Sequence, residues 1–157
     1  MAPVNMAHLV RDAVALFAPL AEDKGLTLTC DMPATLMVTG DLKMLQRTMA
    51  NLVDNAIKYT PAPGTVDISG VRDKGTEKIN ISIKDSGVGI DVGDLPKIFN
   101  RFFRCDQSRA TGGAGLGLSL ARAIAHGHGG EIHVESTLGK GSVFTLSLPS
   151  MQAGQGR

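Results

Sequence analysis

The sequence predicts an α+β fold, a two-layer α/β sandwich in which three helices cover one face of a mixed, mostly antiparallel five-stranded sheet. The predicted elements follow in the order helix, strands, helix, strand hairpin, loop, helix, strand hairpin. That order lacks the regular strand–helix alternation of a doubly wound parallel sheet. Ile79, Ile81 and Ile83 share one face of a predicted strand, which indicates a sheet with one covered side.

Composition limits the classes of partner and the compartment. The chain has 157 residues, of which 43% are hydrophobic, so we expect a single domain with one core. Its 16 Lys+Arg nearly balance 15 Asp+Glu, which leaves no basic field to attract nucleic acid or an anionic membrane. Cys30 and Cys105 lack metal-ligand spacing, and no apolar run reaches the roughly 20 residues that cross a bilayer. We expect this fragment in the cytoplasm, even if its parent protein is anchored in a membrane.

Two helices and two short strands are predicted in the first half of the chain. Asn5 is the expected N-cap of the first helix, and Asp41 is that of the second. Gly25 ends the first helix, and a proline-rich turn ends the second. The predicted bounds are 5–24 and 42–59 for the helices, and 26–30 and 37–39 for the strands.

The second half of the chain is predicted to contain two strand hairpins and one helix, because alternating apolar residues flank glycine-containing turns. The many glycines after residue 86 indicate a ligand-binding loop between them. The predicted elements are strands over 66–71 and 78–85, a loop over 86–114 with a short helical stretch near 95–103, a helix over 116–125, and strands over 131–136 and 142–148.

The second predicted helix carries two different faces. Its core stripe consists of apolar residues at helical spacing, namely Leu42, Leu45, Met49, Leu52 and Ala56. Asn51, Asn55 and Lys58 gather well away from that stripe. A solvated polar face is one interpretation. Asparagine is a poor helix former, however, and an amide oxygen suits a Mg²⁺ ion already bound to phosphates, which a neighbouring lysine would also contact.

Asp85 is predicted to point toward the helices, because it shares the strand parity of Ile81 and Ile83. One interpretation is a turn-forming aspartate that only ends the strand. The alternative is a carboxylate that accepts a hydrogen bond from an exocyclic amine such as adenine N6. In that case Gly87 and Gly89 would let the backbone approach the ring.

A glycine run over 112–118 leads directly into the third predicted helix. Free N–H groups at a helix start favour phosphate oxygens, but glycines before a helix also serve as a plain hinge. The two interpretations stay open on this signal alone.

Five segments in order and spacing resemble the N, first glycine, F, second glycine and third glycine boxes of sensor histidine kinases. They are Asn51–Thr60, Asp85–Ile90, Phe99–Arg104, Gly113–Leu118 and Gly139–Ser142. The resemblance covers 4–149 as a histidine kinase-like ATP-binding catalytic domain and leaves 150–157 as a flexible tail. It implies the Bergerat fold shared with gyrase, MutL and heat-shock chaperone ATPases, with a mobile ATP lid over about 101–113.

The resemblance also implies a role for each matching residue. Asn55 would bind Mg²⁺, Asp85 would anchor the adenine, and the catalytic residues would be Asn51, Lys58 and Arg104. For Arg109, an ordinary solvated loop charge is the alternative. The implied ATP-binding residues are Asn51, Asn55, Lys58, Tyr59, Asp85, Gly87, Gly89, Ile90, Arg104, Arg109, Gly113, Gly115, Leu116, Gly117 and Leu118.

The implied activity is that of a histidine protein kinase in two-component signal transduction, with ATP and Mg²⁺ as cofactors. No histidine here stands in the phosphoacceptor context, since His8 precedes Leu9 and His126 precedes Gly127. The expected partners are therefore a histidine-bearing dimerisation hairpin absent from this chain and a downstream response regulator. The alternatives are a catalytically silent ATP-sensing or docking module, an ATPase of the same fold, and a serine-directed kinase resembling anti-sigma factors.

Overall fold

The computed structural model describes residues 1–100 and 117–151. Seven strands, three helices and one 3₁₀ turn form within these ranges. They are β1 (Ala2–Asn5), α1 (Met6–Lys24), β2 (Leu26–Asp31), β3 (Met37–Gly40), α2 (Leu42–Lys58), β4 (Gly64–Asp73), β5 (Lys78–Asp85), the 3₁₀ turn Leu95–Lys97, α3 (Gly117–Gly127), β6 (Glu131–Thr137) and β7 (Gly141–Pro149).

The main sheet has the strand order β2-β4-β5-β7-β6. β2 and β4 are parallel, while the other three pairs are antiparallel. The predicted mixed, mostly antiparallel five-stranded sheet is confirmed. A second sheet pairs β1 with β3. The sequence does not predict β1, because its four residues, the last of which is the N-cap of α1, carry too little periodicity.

The core lies between the main sheet and the three helices. Ile79, Ile81 and Ile83 of β5 are completely buried, as are Leu45 and Met49 of α2. Burying one such side chain contributes about 1.5–3 kcal/mol, so this layer is the main source of stability. Helix α1 packs on β2 and α2, α2 packs on β5, and α3 packs on β6 and β7. Within 1–100 and 117–151, no helix combines the length and apolar character needed to cross a bilayer.

Three predicted details change in the structure. Leu42 is 52% exposed, so its place in the core stripe is wrong. It is the first residue of α2, and the first turn extends past the surface that other elements cover before Leu45 becomes buried. The helical stretch near 95–103 is reduced to a 3₁₀ turn within its described part. Ser150 and Met151, predicted to lie in a flexible tail, are held in place, because their N–H groups donate to Glu77 O (2.9 Å) and Met37 O (2.8 Å).

The predicted helix caps are confirmed. Asn5 Oδ1 accepts from Ala7 N at 3.1 Å and also from Leu36 N at 3.0 Å. Asp41 Oδ1 accepts from Met44 N at 3.0 Å. The Asn5 side chain therefore holds both the start of α1 and the segment that leads into β3.

Replacing Asn5 by alanine should lower the free energy of unfolding by about 1–2 kcal/mol, because two backbone N–H groups lose their acceptor. Urea unfolding measures this change. Asn5→Asp keeps an acceptor oxygen for both N–H groups and loses only the bond from Asn5 Nδ2 to Ala34 O (3.2 Å), so it should lose less than the alanine variant. Equal losses for both variants would contradict the assigned capping role.

Candidate functional site

Asp85 is the last residue of β5 and lies at the end of the sheet, where polar groups replace the apolar rows. Its side chain is almost completely buried, at 6% exposure, on the face shared with Ile81 and Ile83. The predicted orientation is therefore confirmed. Asp85 Oδ1 accepts from Gly87 N at 2.9 Å and from Ser142 N at 3.2 Å. Among the described residues, both hydrogen bonds end on Oδ1.

The charge of Asp85 is held without a cation. Burial raises the pKa of the Asp85 carboxyl, and the hydrogen bonds from the Gly87 and Ser142 N–H groups offset part of that rise. In the described part of the chain, no lysine or arginine forms an ion pair with this carboxylate. A hydrogen-bond donor on a ligand would therefore meet an acceptor that no lysine or arginine of the described ranges neutralises.

The loop of residues 86–90 is fixed from two sides. Val88 N donates to Tyr59 O at 3.1 Å, which attaches the loop to the end of α2. Gly139 N donates to Val88 O at 2.7 Å, and Ile90 N donates to Ser136 Oγ at 2.8 Å. The second and third of these bonds attach the loop to the β6–β7 hairpin. Both attachments hold the loop directly beside Asp85.

Close backbone approaches explain three of the glycines at this site. A Cβ at Gly87 would lie 2.2 Å from Tyr59 O. Gly89 has φ +73°, and its Cβ would lie 2.2 Å from Thr137 O. A Cβ at Gly141 would lie 2.1 Å from the Asp85 backbone oxygen. These glycines are therefore needed because the chain approaches itself closely here. The sequence predicts a different reason for Gly87 and Gly89, namely that the backbone there can approach an adenine ring.

Helix α2 brings its predicted polar face to the same end of the fold. Asn51 and Asn55 are half-buried, and Asn51 Nδ2 donates to Gly117 O at 3.3 Å. That bond joins α2 to the first residue of α3. Lys58 Nζ lies 3.0 Å from Asp54 Oδ2, with 43% of the lysine side chain exposed. The face therefore offers two amide groups and one lysine that is already paired with an acid.

The sequence analysis does not predict the capping of α2 by Lys24 or the ion pair between Asp54 and Lys58. Lys24 Nζ donates to Ile57 O at 2.7 Å and to Lys58 O at 3.0 Å, which caps the last turn of α2 with a positive charge. Lys24 lies 33 and 34 positions before these two residues in the sequence, so no local pattern could reveal the two hydrogen bonds. The Asp54–Lys58 pair has i,i+4 spacing, and this spacing could have revealed it.

Some of the remaining residues of the predicted motifs pack against the core, and the others lie outside the described ranges. Leu118 and Ile90 are partly buried against the core, and Phe99 also packs there, with the Arg122 guanidinium 5.2 Å from its ring centroid. The predicted site residues Arg104, Arg109, Gly113, Gly115 and Leu116 lie outside the described ranges.

Two of the three histidines in the C-terminal part, His126 and His128, have structural partners. His128 accepts from Asp41 N at its Nε2 (3.0 Å), and its Nδ1 lies 2.8 Å from Ile124 O. His126 Nε2 contacts Glu131 at 2.9 Å. Within the described ranges, no three potential ligands converge as a metal site would require.

Asp85→Asn should leave the protein at least as stable as the wild type at pH 7, because the amide oxygen still accepts both N–H groups and the buried charge is removed. The raised pKa of Asp85 means that the folded state binds more protons than the unfolded state between the ordinary carboxyl pKa of about 3.9 and the raised value. Wild-type stability due to this group therefore falls as pH rises through that window.

Urea unfolding of both proteins from pH 4 to pH 7 measures the difference. The advantage of Asp85→Asn should grow as pH rises through the window. Asp67→Asn, an exposed aspartate on the adjacent strand β4, is the matched control. A wild type that gains stability relative to Asp85→Asn with rising pH would contradict the assigned burial of the charge.

Comparison with known proteins identifies relatives of this arrangement. Residues 40–152 match the family described as Histidine kinase-, DNA gyrase B-, and HSP90-like ATPase. The chain is 40% identical over 153 residues to the sensor-like histidine kinase SenX3 of Mycobacterium tuberculosis. That match covers 96% of this chain and 37% of SenX3. The chain thus spans little more than a third of the length of this relative.

Solved structures show the same fold. The catalytic domain of the histidine kinase ThkA, in a nucleotide-free form, matches with a TM-score of 0.83 and 29% identity, over 96% of this chain and 97% of that domain. Full-length ShkA in complex with AMPPNP matches with a TM-score of 0.83 and 28% identity, over 96% of this chain and 31% of ShkA. The chain therefore belongs to the histidine kinase-, DNA gyrase B- and HSP90-like ATPase family, and its relatives there are sensor histidine kinases.

Proposed function

We propose that this chain is the catalytic domain of a histidine protein kinase, which binds Mg²⁺-ATP and donates the γ-phosphate to a histidine on a separate dimerisation hairpin. The observation that carries the proposal is the buried Asp85 carboxylate, held by two backbone N–H groups and free of a cationic partner among the described residues. Family membership supports it. The complex of the relative ShkA with AMPPNP supports ATP as the nucleotide.

Asp85 recognises the adenine in this proposal. Its Oδ1 holds the loop of residues 86–90, and its Oδ2 accepts a hydrogen bond from the N6 amine. The neighbouring residues Tyr59, Gly87, Gly89 and Ile90 enclose the base beside that carboxylate. A hydrogen bond to a charged group contributes about 1.5–3 kcal/mol, which is enough to select a base with an amine at this position.

The residues of α2 suit a phosphate-bound Mg²⁺. Asn55 is half-buried, its side chain makes no hydrogen bond within the described ranges, and its amide oxygen is a hard neutral ligand. Mg²⁺ in proteins commonly takes one or two protein oxygens and completes its shell with phosphate and water. Mg²⁺ held by Asn55 would neutralise charge on the phosphates, and Asn51, bonded to the start of α3, would lie beside it.

Lys58 supplies positive charge to the transferring phosphate, and Asp54 orients its ammonium before ATP binds. By resemblance, Arg104 and Arg109 add charge near the γ-phosphate, and Gly113, Gly115, Leu116, Gly117 and Leu118 surround the phosphates. In the transfer, the bond from the γ-phosphorus to the β,γ-bridging oxygen breaks, a bond to an imidazole nitrogen forms, and ADP leaves. Positioning and charge stabilisation dominate such a step.

Two rival functions make different demands on the same residues. An ATPase of this fold would need a carboxylate at the position of Asn51 to activate water, and an amide cannot take that proton. A catalytically silent module would bind ATP without transfer.

The relative ThkA has been solved with the response regulator protein TrrA, which supports a response regulator as the downstream partner of the whole kinase. We assign the domain to the cytoplasm, without nucleic-acid or direct membrane contact.

The test mixes the domain with its cognate histidine-bearing hairpin, Mg²⁺ and γ-labelled ATP. Label should appear on the hairpin, be lost in acid and be stable in alkali, as phosphohistidine is. Asp85→Asn should reduce the initial rate at low ATP by at least about tenfold, whereas Asp67→Asn should not change it.

A hairpin whose phosphoacceptor histidine is replaced by glutamine is the negative control. Acid-stable label would indicate a serine-directed kinase, and ATP binding without any label would favour the silent module. Either result would overturn the proposed activity.

A further inference from the structure

Three polar residues form a row at the end of the main sheet. Asp85 on β5 pairs with Ser142 on β7, and Ser142 pairs with Ser136 on β6. One row further into the sheet, the same strands carry the apolar residues Ile83, Phe144 and Val134. Because strand residues two apart share a face, the polar row lies on the helix side, directly beyond the core. Ser136 is therefore the outermost member of a row that begins at Asp85.

The Ser136 hydroxyl makes three contacts. It accepts from Ile90 N at 2.8 Å, donates to Gly141 O at 3.1 Å, and lies 2.7 Å from Ser142 Oγ. A hydroxyl has one proton and two lone pairs. The three contacts use the proton and both lone pairs of the Ser136 hydroxyl when the Ser142 hydroxyl donates to Ser136 Oγ. One side chain thus joins the loop of residues 86–90 to the first two residues of β7.

The β7 residues that Ser136 contacts are those that touch Asp85. Ser142 N donates to Asp85 Oδ1, and the Gly141 backbone packs on the Asp85 backbone oxygen. Ile90 ends the loop whose Gly87 N supplies the other bond to Oδ1. Both N–H groups that hold the carboxylate therefore belong to segments that meet at Ser136.

We propose that Ser136 is a positioning residue for adenine recognition: its hydroxyl sets the spacing between the loop of residues 86–90 and β7, and so fixes the Asp85 carboxylate. The inference rests on the proposed function. Removing the hydroxyl leaves the half-buried Ile90 N–H without its acceptor and removes one of the two bonds that join the loop to the β6–β7 hairpin, so that only Gly139 N to Val88 O remains on that side. The opposite attachment, Val88 N to Tyr59 O, remains. The expected effect is a looser pocket in a folded domain.

The experiment compares side chains that differ only in the hydroxyl. Ser136→Thr keeps the hydroxyl, and Ser136→Val has the same shape without it, so both suit a strand. Ser136→Ala is the simple truncation. Ser82→Ala is the matched control, because Ser82 Oγ bonds Thr145 Oγ1 at 3.3 Å across β5 and β7 on the opposite face of the sheet. ADP affinity by calorimetry, urea unfolding, and amide hydrogen exchange without nucleotide are measured for each.

Ser136→Ala and Ser136→Val should weaken ADP binding by roughly 3- to 10-fold, the effect of one neutral hydrogen bond. Exchange at the Ile90 and Gly87 amides should become faster in both variants. Ser136→Thr should retain wild-type affinity, and Ser82→Ala should change stability without changing affinity.

Equal ADP affinities for Ser136→Thr and Ser136→Val would overturn the inference, even if Ser136→Ala failed to fold. Unchanged exchange at Ile90 would also overturn it. A wild-type protein that does not bind ADP would instead overturn the proposed function, which distinguishes the two failures.

Discussion

The burial of the Asp85 carboxylate is the constraint on which the rest of the site depends. Taking a carboxylate out of water is costly unless its charge is paired or hydrogen-bonded. Here the bonds come from the backbone N–H groups of Gly87 and Ser142. Backbone donors satisfy the group and leave its negative charge available, whereas a lysine or arginine would have neutralised it. In the proposed function, this buried charge is kept for a ligand.

This arrangement requires several chain segments to meet at one point. The loop after β5 must pass close to the end of α2, and the β6–β7 hairpin must approach β5, which only glycine permits at Gly87 and Gly141. Helix α2 connects the two ends of the pocket, because its core stripe packs on the sheet while Asn51 and Asn55 line another face. The same packing that stabilises the fold therefore sets the position of Asn51 and Asn55, the proposed phosphate-side residues, relative to Asp85.

The sequence predicts the features that local periodicity determines. The three helices, both hairpins and the inward orientation of Asp85 follow from spacing along single segments, and the structure confirms them. Features that depend on distant segments do not follow. The capping of α2 by Lys24 is of this kind, and so are the self-approach at Gly89 and the docking of Ser150 and Met151.

The exposure of side chains at the ends of a helix is equally hard to predict from their angular positions around the helix axis alone. Leu42 has the right phase for the core but lies on the first turn of α2, beyond the covering elements. The roles of Arg104 and Arg109 remain predictions from the family resemblance. The side-chain orientations that the structure confirms are therefore those that strand parity and helix phase determine away from the ends of an element.

The most direct test of the central claim compares ADP with inosine diphosphate in calorimetry with Mg²⁺ present. The two nucleotides differ where the adenine amine is replaced by a carbonyl oxygen, which would face the Asp85 carboxylate with a second acceptor. The account predicts that inosine diphosphate binds at least about tenfold more weakly than ADP, since a charge-assisted hydrogen bond is lost. Equal affinities for the two nucleotides would contradict recognition of the base by Asp85.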